Sequence, residues 1–193
     1  MGKGEELEKL NQKIRNCKNC LLWKTRKNAV SGEGLVNAKI MCLGVAPGVE
    51  EDKTGRPFIG RAGQLLNQLF KIAEIKREKT FITSVLKCLP QSPINRKPKK
   101  EEIKSCRPWL KKQIEIINPK KFILLGEVAF SVFFPKEKLK DFRGKWIKKN
   151  NKEYFVTYHP AAGLRFPKIR KILEKDFKRL RLTLLKKKNK LII

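Results

Sequence analysis

Cys17 and Cys20 form a Cys-x2-Cys unit, and Cys88 and Cys106 follow far downstream. Two thiolates at that spacing can chelate one centre, and folding must bring in the other two. Four thiolates make a site for zinc or for a [4Fe–4S] cluster, and spacing alone leaves that choice open. The competing reading is a loose thiol pair with Cys88 and Cys106 in the core. Cys42 differs: it stands between Met41 and Leu43 in an apolar run, where a small buried side chain is wanted, and is read as structural.

A second constellation is glycine-rich. Gly44-Val45-Ala46-Pro47-Gly48 leads into Glu50, Glu51 and Asp52, then into Gly55-Arg56-Pro57-Phe58-Ile59-Gly60-Arg61-Ala62-Gly63. Glycines allow backbone N–H groups to approach a ligand closely, and a helix start favours an anion. Phe58, inside a Gly/Pro loop, reads as poorly placed for the core and able to stack on a base. His159, the single histidine, stands in Tyr158-His159-Pro160-Ala161-Ala162-Gly163-Leu164-Arg165. A lone histidine is more often structural than catalytic, so its weight depends on what folds beside it.

The elements that must position these groups can be read from periodicity. Residues 38–45, 80–86, 121–126 and 154–158 are short apolar or β-branched runs and read as strands. Leu7, Leu10 and Ile14 share a helical face, as do Leu65, Leu66, Leu69 and Phe70. Ile103, Cys106, Leu110, Ile114 and Ile117 mark a third helix, with Cys106 facing inward and Pro108 expected to kink or break it. A last helix begins at Pro167 and presents Leu173, Phe177 and Leu180 on one side. Strands alternating with helices predict a parallel sheet covered on both faces, with ligands beyond the strands' carboxyl ends. The glycine turn, Ser84 and the His159 loop all lie at such ends and should converge.

The chain has 193 residues, with 47 Lys plus Arg against 18 Asp plus Glu, a net charge of +29. That charge points to a polyanionic partner, with nucleic acid foremost. An electron carrier fits poorly with so basic a surface. Lysine or arginine interrupts every apolar run, which excludes a membrane span, and no apolar leader follows Met1, so an intracellular location is expected. One domain over 1–185, with a basic, frayed tail over 186–193, fits the length.

Taken together, the blocks resemble the family 4 uracil-DNA glycosylases from about Cys17 to about Leu180. They are the cysteine pair, Gly44-x-Ala46-Pro47-Gly48-x-x-Glu51-Asp52, Gly55-Arg56-Pro57-Phe58-x-Gly60-x-Ala62-Gly63-Gln64, Thr83-x-Val85-x-Lys87-Cys88, Asn95-Arg96-x-Pro98 and Thr157-Tyr158-His159-Pro160-Ala161-Ala162. The resemblance implies a three-layer α/β/α sandwich with a four-stranded parallel sheet, and a [4Fe–4S] cluster on Cys17, Cys20, Cys88 and Cys106. It implies a monomeric, monofunctional hydrolase that flips uracil out of single-stranded or duplex DNA. Phe58 would stack on the base. His159 would hydrogen-bond uracil O2, aided by backbone near Val45, Ala46 and Pro47, and Glu51 would orient the water. Leu164 and Arg165 would enter the gap in the stack, while Arg61, Lys168, Arg170 and Lys171, with Lys175, Lys178, Arg179 and Arg181, would meet phosphates.

Two positions depart from the family pattern: Val45 replaces a glutamate, and Ser84 replaces an asparagine. An asparagine carboxamide can accept from uracil N3–H and donate to O4 together, whereas a serine hydroxyl cannot satisfy both. Weaker uracil selectivity is therefore expected. The alternative is an iron–sulfur DNA-binding paralogue with weak or no catalysis. Gln91 to Lys99 contains no histidine, so the DNA crosslinking of a related subgroup is not expected.

Overall fold

The computed structural model describes residues 2–90 and 96–189; Asn95 of the family motif and most of the histidine-free 91–99 loop lie outside them. Helix α1 (Lys3–Arg15) precedes strand β1 (Ile40–Gly44), and helices α2 (Val49–Thr54) and α3 (Arg61–Ile72) lead to β2 (Thr80–Ser84). Helix α4 (Lys100–Ile117) is followed by β3 (Lys121–Leu125), α5 (Glu127–Ser131), α6 (Leu139–Phe142), β4 (Trp146–Lys149) and β5 (Lys152–Thr157). Helices α7 (Pro160–Arg165) and α8 (Pro167–Asn189) complete the described chain, and α8 carries regular backbone into the segment expected to be frayed. No described helix is long and apolar enough to cross a membrane.

The sheet order is β2-β1-β3-β5-β4. Its first four strands are parallel, as expected. The expected four-strand count needs correction, because β4 adds a fifth strand, antiparallel to β5. Asn150 and Asn151 join these two strands, both at positive φ (49° and 57°), which is how a two-residue hairpin matches the twist of its strands. The reversal of order around β1 and β3 creates a crevice at the strands' carboxyl ends.

Strand side chains alternate between two cores. Met41, Leu43, Phe122, Leu124 and Val156 face Leu7, Leu10 and Ile14 of α1 and Leu110 and Ile117 of α4. Cys42, Ile82, Ile123, Leu125 and Phe155 face Leu66 and Phe70 of α3 and Leu173 and Phe177 of α8. These are the three layers. Cys42 is fully buried in mid-strand, which agrees with the structural reading.

Helix α4 runs through Pro108 without ending, so of the expected kink or break the break does not occur. Pro108 and Lys104, whose carbonyl loses its donor, are both exposed, so water can satisfy that oxygen. Residues 30–34 cover the outer edge of β2. Glu33 and Ile82 exchange both backbone hydrogen bonds at 2.9 and 2.7 Å, and Val30 N–H donates to the Lys87 carbonyl at 2.7 Å.

Candidate functional site

A pocket of about 500 Å³ opens beyond the carboxyl ends of β1, β2 and β5. Val45, Ala46, Pro47, Glu51, Phe58, Arg61, Ser84 and His159 all line it. Segments remote in the chain thus meet at one rim, because the parallel strands deliver their exits to the same side.

Phe58 corrects one expectation: its side chain is packed into the core, yet it still lines the pocket. Two glycines make this possible. A Cβ on Gly44 would lie 2.5 Å from the tip of the Phe58 ring, and one on Gly63 would lie 1.9 Å from the Phe58 carbonyl oxygen. Phe58 itself holds φ at +52°, a left-handed conformation costly for a bulky residue and common where a site fixes geometry.

Two charged groups fix that backbone. Arg77 donates to the carbonyls of Pro57 (2.7 Å) and Phe58 (3.3 Å) and to Asn67 Oδ1 (2.9 Å). Glu51 accepts from the other side: Oε1 takes the N–H groups of Ile59 and Gly60, both at 2.9 Å, and Oε2 takes Gly48 N–H at 3.0 Å. Glu51 therefore closes the first turn of α2 and pins the Phe58 loop. A carboxylate has about four acceptor sites, so three backbone donors leave room for one more partner.

His159 caps α7, its Nδ1 accepting Ala161 N–H at 3.2 Å. With Nδ1 an acceptor, the neutral ring carries its proton on Nε2. Nε2 is buried and has no partner among the described residues, although the residue as a whole lines the pocket. Burial holds the imidazole down at about 4, with Glu51 opposing the shift, so the ring is neutral near pH 7. Its centroid is 5.7 Å from that of Phe58. Beneath it, Thr157 Oγ1 donates to Asp176 Oδ2 at 2.7 Å, and Arg143 pairs with Oδ1 at 2.6 Å, tying α8 to the end of β5.

Ser84 forms part of the pocket floor, and its backbone carbonyl accepts from Lys87 Nζ at 2.8 Å. Lys87 is buried and also donates to Thr83 Oγ1 (2.6 Å) and Gln113 Oε1 (2.7 Å). Burial pulls its ammonium down to about 8 against the opposing pull of Cys106 and Cys88.

Cys17, Cys20, Cys88 and Cys106 line one small cavity between the end of α1, the exit of β2 and α4. Among the described residues, no group of three or more Cys, His, Asp or Glu converges tightly enough for a single metal ion. The four thiols instead surround a space. N–H groups point at three of the sulfurs: Trp109 Nε1 at Cys17 (3.2 Å), Arg26 Nη1 at Cys88 (3.1 Å) and Lys87 N at Cys106 (3.3 Å). Burial pushes Cys106 up to about 12 and raises Cys88, shifts that these donors oppose.

Of the expected phosphate contacts, Arg61, Arg165, Lys168 and Lys171 are exposed, and Leu164 is exposed beside them. Arg170, Lys175, Lys178, Arg179 and Arg181 are exposed too, with Arg170 bonded to Gln68 (3.1 Å) and Glu174 (3.4 Å), Arg179 to the Gly144 carbonyl and Arg181 to Glu74. The sequence reading missed Arg77, Asp176 and the links made by Lys87. Arg77 sits in a Lys-Arg-Glu-Lys run that looks like any solvated charge cluster.

The uracil DNA glycosylase superfamily model matches residues 31–184. The chain is 47% identical over 188 residues to the type-4 uracil-DNA glycosylase of Sulfurisphaera tokodaii, an alignment spanning 92% of this chain and 84% of that protein. It is 45% identical over 187 residues to the type-4 uracil-DNA glycosylase of Saccharolobus solfataricus, with 92% and 86% covered. With that of Pyrobaculum aerophilum it shares 43% over 180 residues, with 89% and 91% covered.

Proposed function

This chain belongs to the uracil DNA glycosylase superfamily and, within it, to the type-4 uracil-DNA glycosylases, and from that premise we propose that it removes uracil from DNA by hydrolysing the N-glycosidic bond. The observation that carries the reading is the buried Nε2 of a neutral His159, without a partner among the described residues, on a side chain that lines the same pocket as Phe58. A buried donor without an acceptor is costly unless a ligand supplies one.

Uracil swung out of the stack would lie against the Phe58 ring with O2 at His159 Nε2. As the bond to C1′ breaks, the sugar gains oxocarbenium character and negative charge gathers on the base at O2. The Nε2–H donor stabilises that charge, and a neutral imidazole does so without needing to exchange a proton. Backbone near Val45 and Ala46 lines the same side. The remaining acceptor site on Glu51 can orient the water that attacks C1′, while its three backbone contacts keep the carboxylate in place. Leu164 and Arg165 would fill the vacated stack, and Arg61, Lys168 and Lys171 would hold phosphates. Ser84 offers one hydroxyl where both N3–H and O4 need partners, so discrimination against cytosine falls by roughly ten- to a hundredfold.

The thiol set fits a [4Fe–4S] cluster held by Cys17, Cys20, Cys88 and Cys106: four sulfurs around a space, three with N–H donors. When bound, the cluster would cross-link three distant segments and supply a one-electron couple. The purified protein should be brown and contain iron and sulfide in equal amounts, whereas a colourless zinc protein would contradict this.

The activity test uses uracil-containing single-stranded and duplex oligonucleotides, followed by alkaline cleavage of abasic sites. Strand breaks are expected, and His159→Ala should slow their formation by about 10²–10³-fold with DNA affinity unchanged. Tight binding without breaks at enzyme excess would overturn the proposal and leave a binding protein.

A further inference from the structure

Lys87 is a buried ammonium with neutral oxygen partners: Thr83 Oγ1, the Ser84 carbonyl and Gln113 Oε1. Among the described residues, no carboxylate comes within ion-pair distance, and the cavity it lines is the one that holds Cys17, Cys20, Cys88 and Cys106. A buried cation is rarely retained without a counter-charge. Its backbone N–H also points at the Cys106 sulfur, and the residue lines the thiol cavity. The same side chain holds the last carbonyl of β2, on the residue that floors the base pocket. Gln113 and Thr83 extend the knot by donating to the Ser31 carbonyl, which anchors the segment covering β2.

We propose that Lys87 is a positioning residue with two faces, its charge balancing the cysteine-ligated cluster and its ammonium clamping the Ser84 carbonyl that sets the pocket floor. The inference rests on the assignment of a cluster and of uracil excision made above. Filling the cavity with a cluster held by four thiolates adds net negative charge beside Lys87 and gives the ammonium its missing partner. Loss of the cluster leaves that ammonium buried and uncompensated, which loosens the exit of β2. The cysteine centre and the specificity position are thereby one mechanical unit, joined through a single side chain.

The experiment compares the iron-loaded wild type with Lys87→Met, of similar length but uncharged, and with Thr83→Val, which removes one acceptor and keeps the charge. Two quantities are read: the midpoint potential of the cluster, and KM and kcat on a uracil oligonucleotide. Lys87→Met should move the potential to more negative values, because removing a nearby positive charge disfavours the reduced cluster. It should also raise KM roughly tenfold or more, with a smaller change in kcat, because the pocket floor shifts. Thr83→Val should raise KM and leave the potential in place. An unchanged potential or an unchanged KM in Lys87→Met overturns the proposal. If Lys87→Met does not fold, Thr83→Val decides: wild-type KM overturns it. Absence of iron or of uracil excision in the wild type is a separate result, because it refutes the underlying assignment before any variant is compared.

Discussion

Gly44→Ala tests whether the pocket depends on where the Phe58 ring rests. The added Cβ would lie 2.5 Å from one ring carbon and 2.7 Å from another. Ordinary carbon contacts need about 3.5 Å or more, so the ring must retreat by roughly 1 Å. Its backbone cannot follow. Arg77 holds the carbonyls of residues 57 and 58, Glu51 holds the N–H groups of 59 and 60, and Gly63 leaves no space behind the Phe58 carbonyl. With the backbone held, the ring is expected to shift toward the open pocket that it lines, where the base would stack. Overpacking of this kind costs about 1–3 kcal/mol in stability. Loss of base–aromatic stacking costs about 1–3 kcal/mol more in binding, a rise in KM of roughly 5- to 150-fold. Steady-state excision from a uracil oligonucleotide and a thermal melt measure the two effects, and affinity for uracil-free DNA serves as the control. A variant with wild-type KM and a lowered melting temperature would show that the ring's position does not set base binding.

Protonation of His159 supplies the second prediction. Burial lowers its folded value to about 4 from 6.5, with Glu51 opposing, so the unfolded chain binds the proton more readily. The stability contributed by this group is whole above pH 6.5 and falls as pH drops toward 4; His159→Gln should flatten that part of a chemical-denaturation series. kcat should likewise show no inflection near pH 6.5, and one that His159→Gln abolishes would contradict the neutral ring. Third, Ser84→Asn should raise uracil excision about ten- to a hundredfold and sharpen preference over cytosine, read in competition assays. No gain in either would refute the role given to that side chain.

The layers were legible because each strand is a short apolar run and each flanking helix carries a stripe of side chains at helical spacing. Met41 and Leu43 against Cys42 already encode two faces, and the convergence of the glycine turn, Ser84 and His159 follows from parallel strands alone. The hairpin to β4 was readable in Asn150-Asn151 but was passed over, because Trp146-Ile147-Lys148-Lys149 lacks clear alternation. Pro108 does not end α4, because the carbonyl of Lys104 that it leaves without a donor is exposed to water. Phe58 was misplaced for another reason: sequence shows the ring, whereas the space for it is made by two glycines, Gly44 at the end of β1 and Gly63 in α3. Arg77 and Asp176 act through partners 10 to 33 positions away, and Lys87 joins nearby Thr83 and Ser84 to Gln113, 26 positions on; no local pattern records the long links.

The strand order has a consequence for how the protein comes into being. Every half of the pocket up to Ser84 is synthesised early, but the imidazole arrives only with β5, and Asp176 secures that strand from α8. A chain stopped before the end of β5 would carry the aromatic shelf without His159, and one stopped before α8 would carry the imidazole on a strand that Asp176 does not hold. Excision should therefore require the whole chain through α8, and a truncation before Pro167 is expected to bind DNA through its lysines without breaking glycosidic bonds.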